Sequence, residues 1–263
     1  MSRRWGPPLV LAAALLLAWE AAVRASGVSP FLLPSPSRVL AALWEFRDDA
    51  VRHTLPTIVE TAVGMTAAVV GAAVLAIALD RVAVARRAVE PLLVASQTIP
   101  IVVVAPLVVV WLGFGLLPKV LVVVLVTFFP ITIALLRGFE STPPEASELL
   151  RSFGASTGQT FRKVRWPWAL PGLFTGLRIA ATYGVAAAVI SEYVGATDGL
   201  GIWMQLSQRT FRTDLVFAAV VLTAVLSIAL YGVVAAAERI VVPWSAARRQ
   251  GAVARADDIG GDD

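Results

Sequence analysis

Pro91–Pro118 is a run of 28 residues without a charged side chain, and beyond Lys119 a second such run continues from Val120 to Leu136. A transmembrane helix needs about 20 mostly apolar residues, each adding ~1.5 Å against a hydrocarbon core of ~30 Å. Two spans therefore fit here. Gly113-Phe-Gly115 and Pro118 mark a tight turn between them, so the pair reads as a helical hairpin. Comparable runs recur at Trp5–Val23, interrupted by Glu20, at Thr61–Leu79, at Leu170–Ser191, which carries Arg178, and at Leu215–Ala237, bounded by Asp214 and Glu238. The expected fold is all-α and integral to a membrane. Six spans lie near 5–23, 55–79, 92–113, 118–136, 170–191 and 215–237, all within one domain, 1–245. The tail, 246–263, is rich in Gly, Arg and Asp and reads as disordered and cytoplasmic. Arg3 and Arg4 precede the first run as in a signal peptide. That run is longer than a typical signal-peptide core, and Ala25-Ser26-Gly27 is only a loose cleavage site, so a retained helix is expected.

Composition narrows the chemistry. The chain is 58% hydrophobic and 15% charged, with a mean hydropathy of +0.79. Disorder is excluded for a chain so rich in aliphatic residues. The absence of cysteine excludes disulfides, thiolate metal sites and a Cys nucleophile. A lone histidine, His53, argues against a His-based metal site or catalytic triad. The net charge of +4 does not require nucleic acid. With both termini placed in the cytoplasm, 14 of the 22 Lys and Arg fall in inner segments and 7 in outer ones, with Arg178 inside a span. That two-to-one bias is the positive-inside pattern of a multi-pass membrane protein with both termini inside.

Two segments outside the spans carry structure of their own. In Arg24–Thr54, the prolines of Pro30-Phe-Leu-Leu-Pro34-Ser-Pro36 forbid continuous helix. Ser37 is then placed to cap a short helix, Arg38–His53, on the outer face. It serves either as a docking surface or as an interfacial anchor. In Arg137–Pro171, Thr142-Pro143-Pro144-Glu145 reads as a helix start, with Thr142 as cap, Pro143 at the first helical position and Glu145 closing a capping box. The helix is expected over Pro143–Phe153, with Gly154 stopping it. Ser156 caps a second short helix that ends before Pro167. Leu149, Leu150 and Phe153 share one face of the first helix, opposite the mostly polar Glu145, Glu148, Arg151 and Ser152. By spacing alone the helix either lies on lipid or inserts into a partner's groove.

Glu148-Leu-Leu-Arg-Ser-Phe-Gly154-Ala-Ser, followed by Val164-Arg-Trp-Pro167 and Leu170-Pro171, resembles the EAA loop of permease subunits of bacterial binding-protein-dependent ABC importers. The spacings from Glu148 to Gly154 and from Gly154 to Val164 match, and Pro167 is in register. Leu149 and Leu150 replace the family's two alanines, Trp166 its usual Leu, and Gly158 a frequent Trp. Gln97-Thr-Ile-Pro100, Ala105-Pro-Leu107, Trp111-Leu-Gly-Phe-Gly115, Phe128-Phe-Pro130, Gly176-Leu-Arg178 and Gly199-Leu-Gly201 look like the sulfonate, taurine, nitrate and thiamine-precursor group. The resemblance implies a homodimer in membrane lipid, two cytoplasmic ATPase subunits and an extracytoplasmic solute-binding protein. It also implies a coupling segment, 142–165, in which Glu145, Glu148, Leu149, Leu150, Phe153, Gly154, Val164 and Pro167 engage the ATPase. ATP and Mg would then belong to that partner, and this chain has no Walker A pattern of its own. The implied cargo is a small organic nutrient, a thiamine-precursor pyrimidine or related vitamin, with a sulfonate, taurine or nitrate as the alternative.

Candidate residues for the pathway are Gln97, Thr98 and Pro100 in the third span and Ser191, Glu192 and Tyr193 closing the fifth. Polar groups within a membrane are costly and often functional. Kinking and packing are the plainer roles for the first three, and a solvated span end for Glu192. Arg178 is expected to snorkel or to pair with an acid. Gly64, Gly71, Gly176 and Gly184 are expected at close helix approaches. Glu60 and His53 read as interfacial. No catalytic residue or metal ligand is expected: the spans hold no Ser–His pair or Asp pair that would suit an intramembrane enzyme. An ion-coupled secondary transporter would need an ion-binding acid within the membrane and inverted repeats, and neither is apparent.

Overall fold

The computed structural model describes residues 6–244. The expected tail, 246–263, lies outside the described residues, as do Arg3 and Arg4. Eleven α-helices and one π turn follow in order: α1 Gly6–Ser26, α2 Pro36–Glu45, α3 Arg47–Arg81, α4 Ala83–Ser96, α5 Ile101–Leu112, α6 Leu116–Glu140, α7 Pro144–Ser152, α8 Thr157–Thr160, the π turn Phe161–Arg165, α9 Trp166–Glu192, α10 Leu200–Arg209 and α11 Thr213–Val241. The fold is all-α, and α1, α3, α6, α9 and α11 are each long and apolar enough to cross a membrane. A sixth span exists if α4 and α5 count together, but they meet at 97° rather than forming the straight helix expected over 92–113. The cause is local. Pro100 has no N–H to continue the helix and disfavours helical backbone before it. Ser96 and Thr98 turn their hydroxyls back onto the carbonyls of Leu93 and Ala95, both at 2.7 Å, closing the end of α4. The expected hairpin survives as α5 and α6 around Gly113, whose φ of +76° suits glycine.

The centre of the bundle is α6 packed along α9, with α3 laid against both. The contact surfaces are made of small residues: Ala68, Ala72 and Ala76 of α3 and Ala169, Ala180 and Ala181 of α9 enclose Ile131, Leu135, Leu136 and Phe139 of α6. In lipid, helices associate through close packing rather than through the hydrophobic effect, so small residues set the distance between axes. A Cβ on Gly172 would stand 2.6 Å from the carbonyl oxygen of Ala134, and one on Gly176 would stand 2.8 Å from the Cα of Ile131. Gly64 is equally tight against Val123, at 2.6 Å, whereas Gly71 and Gly184 lie at 3.3 Å from side chains. Since backbone cannot swing aside, Gly172→Ala is expected to cost about 1–3 kcal/mol through overpacking. The measurement is the thermal unfolding midpoint of the purified protein in detergent. An unchanged midpoint would show that α6 and α9 separate freely.

The remaining helices are peripheral. α1 buries only Val23 and exposes Leu9, Leu11 and Leu15–Leu17, as suits a helix bathed in lipid. Among the described residues its polar tether is Glu20, which accepts hydrogen bonds from the Ser37 N–H at 2.9 Å and hydroxyl at 2.7 Å. Ser37 is therefore a tether and not the expected cap. Ser35 holds the N-cap position of α2, with Pro36 in the first turn. The short helix expected to reach His53 ends instead at Glu45, and α3 begins at Arg47 and runs unbroken through His53 and Pro56 into the second span. Pro56 deletes one hydrogen bond without ending a helix held by packing on α6 and α9.

Candidate functional site

Three regions of the molecule carry chemistry: the segment after α6, a groove between α6 and α9, and a buried polar cluster at the opposite end of the bundle.

α7 starts one residue later than the sequence suggests. Pro144 occupies its first turn and holds Pro143 in an extended conformation at the N-cap, so Thr142 lies outside the helix and the expected capping box with Glu145 does not form. Glu145 in the first turn and Arg151 in the last complement the helix dipole. No residue of α7 is buried. Leu149 is 61% exposed and Phe153, just past its end, is 80% exposed, while Leu150 is half-buried and Glu148 exposed. Gly154, at φ +82°, turns the chain, with its N–H bonded to the Arg151 carbonyl at 2.8 Å. Ser156 then caps α8 in a reciprocal box: its hydroxyl receives the Gln159 N–H at 3.3 Å and its own N–H meets the Gln159 side chain at 2.8 Å.

The chain does not stop before Pro167 as expected. α8 passes through the π turn into α9, and Pro167 sits in the first turn of α9, where the wide turn just before it accommodates the ring and the missing N–H. The wide π turn places Phe161 and Trp166 on Phe139 of α6, with ring centroids 5.6 and 6.2 Å away. Arg165 reaches Asp80 at the end of α3 at 2.7 Å, and the Asp80 side chain is only 5% exposed. α7 is thus a projecting apolar knob whose base is fixed to α3, α6 and α9. Val164 is half-buried in that base. The Asp80–Arg165 pair was not legible in the sequence, where the two residues stand 85 positions apart.

A cavity of about 650 Å³ lies between α6 and α9, lined by Phe129, Pro130, Arg137, Thr175 and Ile179 among others. It shares Phe129, Pro130 and Ile179 with a second cavity of about 560 Å³ that reaches Gln97, Pro100 and Tyr183, so the two form one groove. Gln97 and Pro100 stand on it because of the sharp bend between α4 and α5. Thr98 does not line it. Arg137, at the α7 end, is the one charged residue on its wall among the described residues. Arg178 is elsewhere, paired with Glu238 of α11.

Ser191 and Glu192 do not reach the groove. Both are fully buried on the other side of α9, and Tyr193 packs half-buried beside α10. Glu192 receives the Thr57 hydroxyl at 2.6 Å and the Gly201 N–H at 2.6 Å. Leu200 N–H donates to Thr57 Oγ1 at 3.0 Å and Gly199 N–H to His53 Nδ1 at 3.1 Å. The turn between α9 and α10 is wrapped so closely that a Cβ on Gly199 would fall 2.3 Å from the Glu192 carboxyl carbon. Glu192 is thus not the solvated span end that its position suggests, and Glu60 and His53 are buried against neighbouring helices, at 2% and 8% exposed. Glu60 is paired with Lys119 at 2.5 Å. The signal available in the sequence was His53, Thr57 and Glu60 on one helical face, three to four residues apart.

The family of binding-protein-dependent transport system inner membrane components matches residues 68–243. The chain is 37% identical over 234 residues to the riboflavin transport system permease protein RibX of Chloroflexus aurantiacus, covering 88% of this chain and 87% of that one. It is 36% identical to the formylaminopyrimidine transport permease protein ThiX of Halalkalibacterium halodurans, covering 88% and 92%. It is 30% identical to the taurine transport system permease protein TauC of Escherichia coli, covering 88% and 87%.

Proposed function

The chain belongs to the family of inner membrane components of binding-protein-dependent transport systems, as a multi-pass permease subunit of an ABC importer, and from that premise we propose how it works. Two copies pair in the membrane, with two ATPase subunits on the cytoplasmic side and a solute-binding protein outside. α7 is the element that the ATPase moves. Leu149 and Phe153 seat in a cleft of that partner, Glu148 supplies a polar contact at its edge, and closure of the ATPase around ATP and Mg is transmitted through Gly154, Val164 and Pro167 to the bundle. ATP hydrolysis is the partner's chemistry. Both termini are cytoplasmic, in keeping with the sided distribution of Lys and Arg. The observation that carries this reading is the projection of Leu149 and Phe153 from a helix that buries nothing of its own while its base is locked to three spans.

The cargo we propose is a planar heteroaromatic vitamin or vitamin precursor. The two relatives quoted at 36–37% identity are named for riboflavin and formylaminopyrimidine, and the taurine relative stands at 30%. The groove agrees in character. It offers the rings of Phe129 and Tyr183 and the amide of Gln97, with no cation among the described residues at the level of Tyr183 to match a sulfonate. Uptake of labelled riboflavin, a formylaminopyrimidine and taurine into vesicles carrying the whole transporter tests this. A heteroaromatic solute is expected to accumulate with ATP, and Tyr183→Ala to slow it about fivefold through lost stacking of roughly 1 kcal/mol. Accumulation of taurine alone would transfer the assignment to the sulfonate reading.

A further inference from the structure

We propose that the α7 end of the groove is an anion-binding site built on Arg137, which takes the oxyanion of a solute whose flat ring lies two helical turns away, against Phe129 and Tyr183.

Arg137 is exposed on the groove wall, and every other residue on that wall among the described residues is uncharged. The acids around this end of the bundle are committed elsewhere. Glu140 is held by Arg86 at 2.6 Å, Asp80 by Arg165 at 2.7 Å, and Glu238 by Arg178. Glu145 and Glu148 project with α7 and do not line the groove. Arg137 thus makes no ion pair among the described residues, unlike Arg165 and Arg178 at the neighbouring levels of α9. The hydroxyls beside it are also spent. Ser141 donates to the Gly138 carbonyl at 2.8 Å and Thr175 to the Pro171 carbonyl at 2.9 Å, so neither offers its proton to the groove.

A guanidinium carries five N–H donors in a planar fork that fits a phosphate or carboxylate through two parallel bonds. Apolar walls exclude the water that would screen it, so a charge of one sign there attracts an anion more strongly than on an open surface. The distance to the ring level follows from the helix. Pro130 and Arg137 are seven residues apart on α6, about 10 Å along its axis. Phe129, Pro130 and Ile179 line both cavities, so a ring seated between them and Tyr183 is continuous with the half that holds Arg137. A lipid acyl chain would use the apolar wall but leave the Gln97 amide unanswered, whereas a heterocycle uses both.

This inference rests on the heteroaromatic cargo proposed above and goes beyond it. The same ring is held more tightly with an oxyanion on its side chain than without one. Since α7 faces the cytoplasm in the proposed orientation, the anionic form meets the site from that side.

Riboflavin and riboflavin 5′-phosphate are both fluorescent, so polarisation titration of the assembled, nucleotide-free transporter in nanodiscs of zwitterionic lipid tests the site. The phosphate is expected to bind about tenfold more tightly than riboflavin, the gain of charge-assisted hydrogen bonds. Arg137→Gln is expected to bring that ratio close to one. Tyr183→Ala is expected to weaken both ligands and leave the ratio unchanged, because the ring and the oxyanion are held at separate levels. Replacing part of the lipid by anionic phosphatidylglycerol is expected to leave the wild-type ratio intact. Its collapse there would assign Arg137 to a lipid headgroup and overturn the proposal. A wild-type ratio near one, or a ratio that survives Arg137→Gln, overturns the anion site and leaves the cargo reading standing. Binding of neither ligand overturns both.

Discussion

Replacing Phe153 by Asp is expected to cut ATP-driven uptake by about two orders of magnitude while membrane insertion stays normal. Phe153 is 80% exposed, so the bundle loses no packing when the ring goes. A buried aromatic anchor at the centre of a protein interface is worth roughly 2–4 kcal/mol, or about 30- to 1,000-fold in affinity. A carboxylate in the same place adds a desolvation penalty. Leu149→Asp is expected to act in the same direction. The measurement is uptake in reconstituted vesicles, normalised to permease content, with ATPase activity recorded alongside. Normal solute-stimulated uptake by Phe153→Asp would remove α7 from the coupling pathway.

The second large effect concerns the base of that knob. Arg165→Met is expected to leave Asp80, 5% exposed, buried without its cation. Breaking a buried pair from one side costs about 3–5 kcal/mol. Because the Arg165 side chain is itself 33% exposed, the lower end of that range applies here. The penalty falls on the junction of α3 with the π turn, so the expected result is loose coupling: ATP hydrolysis continues at a normal rate while uptake drops at least tenfold. The double variant Arg165→Met with Asp80→Leu removes both charges and is expected to recover stability more fully than either single change. A single Arg165→Met variant that matches wild type in both uptake and thermal midpoint would show that the pair transmits nothing.

The helices themselves were legible because lipid imposes a simple rule: backbone polar groups must be satisfied within the segment, so a charge-free run of sufficient length is helical. The cap at Ser156 and the stop at Gly154 were legible for a related reason, being settled within four residues of chain. The start of α7 was displaced by one residue because two consecutive prolines compete for the first turn, and the second takes it. The bend at Gln97–Pro100 was suggested by Pro100, but its 97° required the hydroxyl bonds of Ser96 and Thr98 as well. The site was less legible than the fold. Gln97 and Pro100 reach the groove while Ser191 and Glu192 face away from it, a distinction of helix face that hydropathy does not carry.

By itself, the sequence determined that the chain is a bundle of membrane helices with an amphipathic segment between the fourth and fifth spans, because runs of apolar residues, prolines and caps act locally and need no partner. Only the tertiary structure decided which charges meet. Asp80 with Arg165, Glu238 with Arg178, and Glu60 with Lys119 are each at least 59 positions apart. Such pairs form because an ionised group inside the bundle finds no water and must find its counter-charge on a neighbouring helix. Which helix that is depends on where glycine and alanine let two backbones come close.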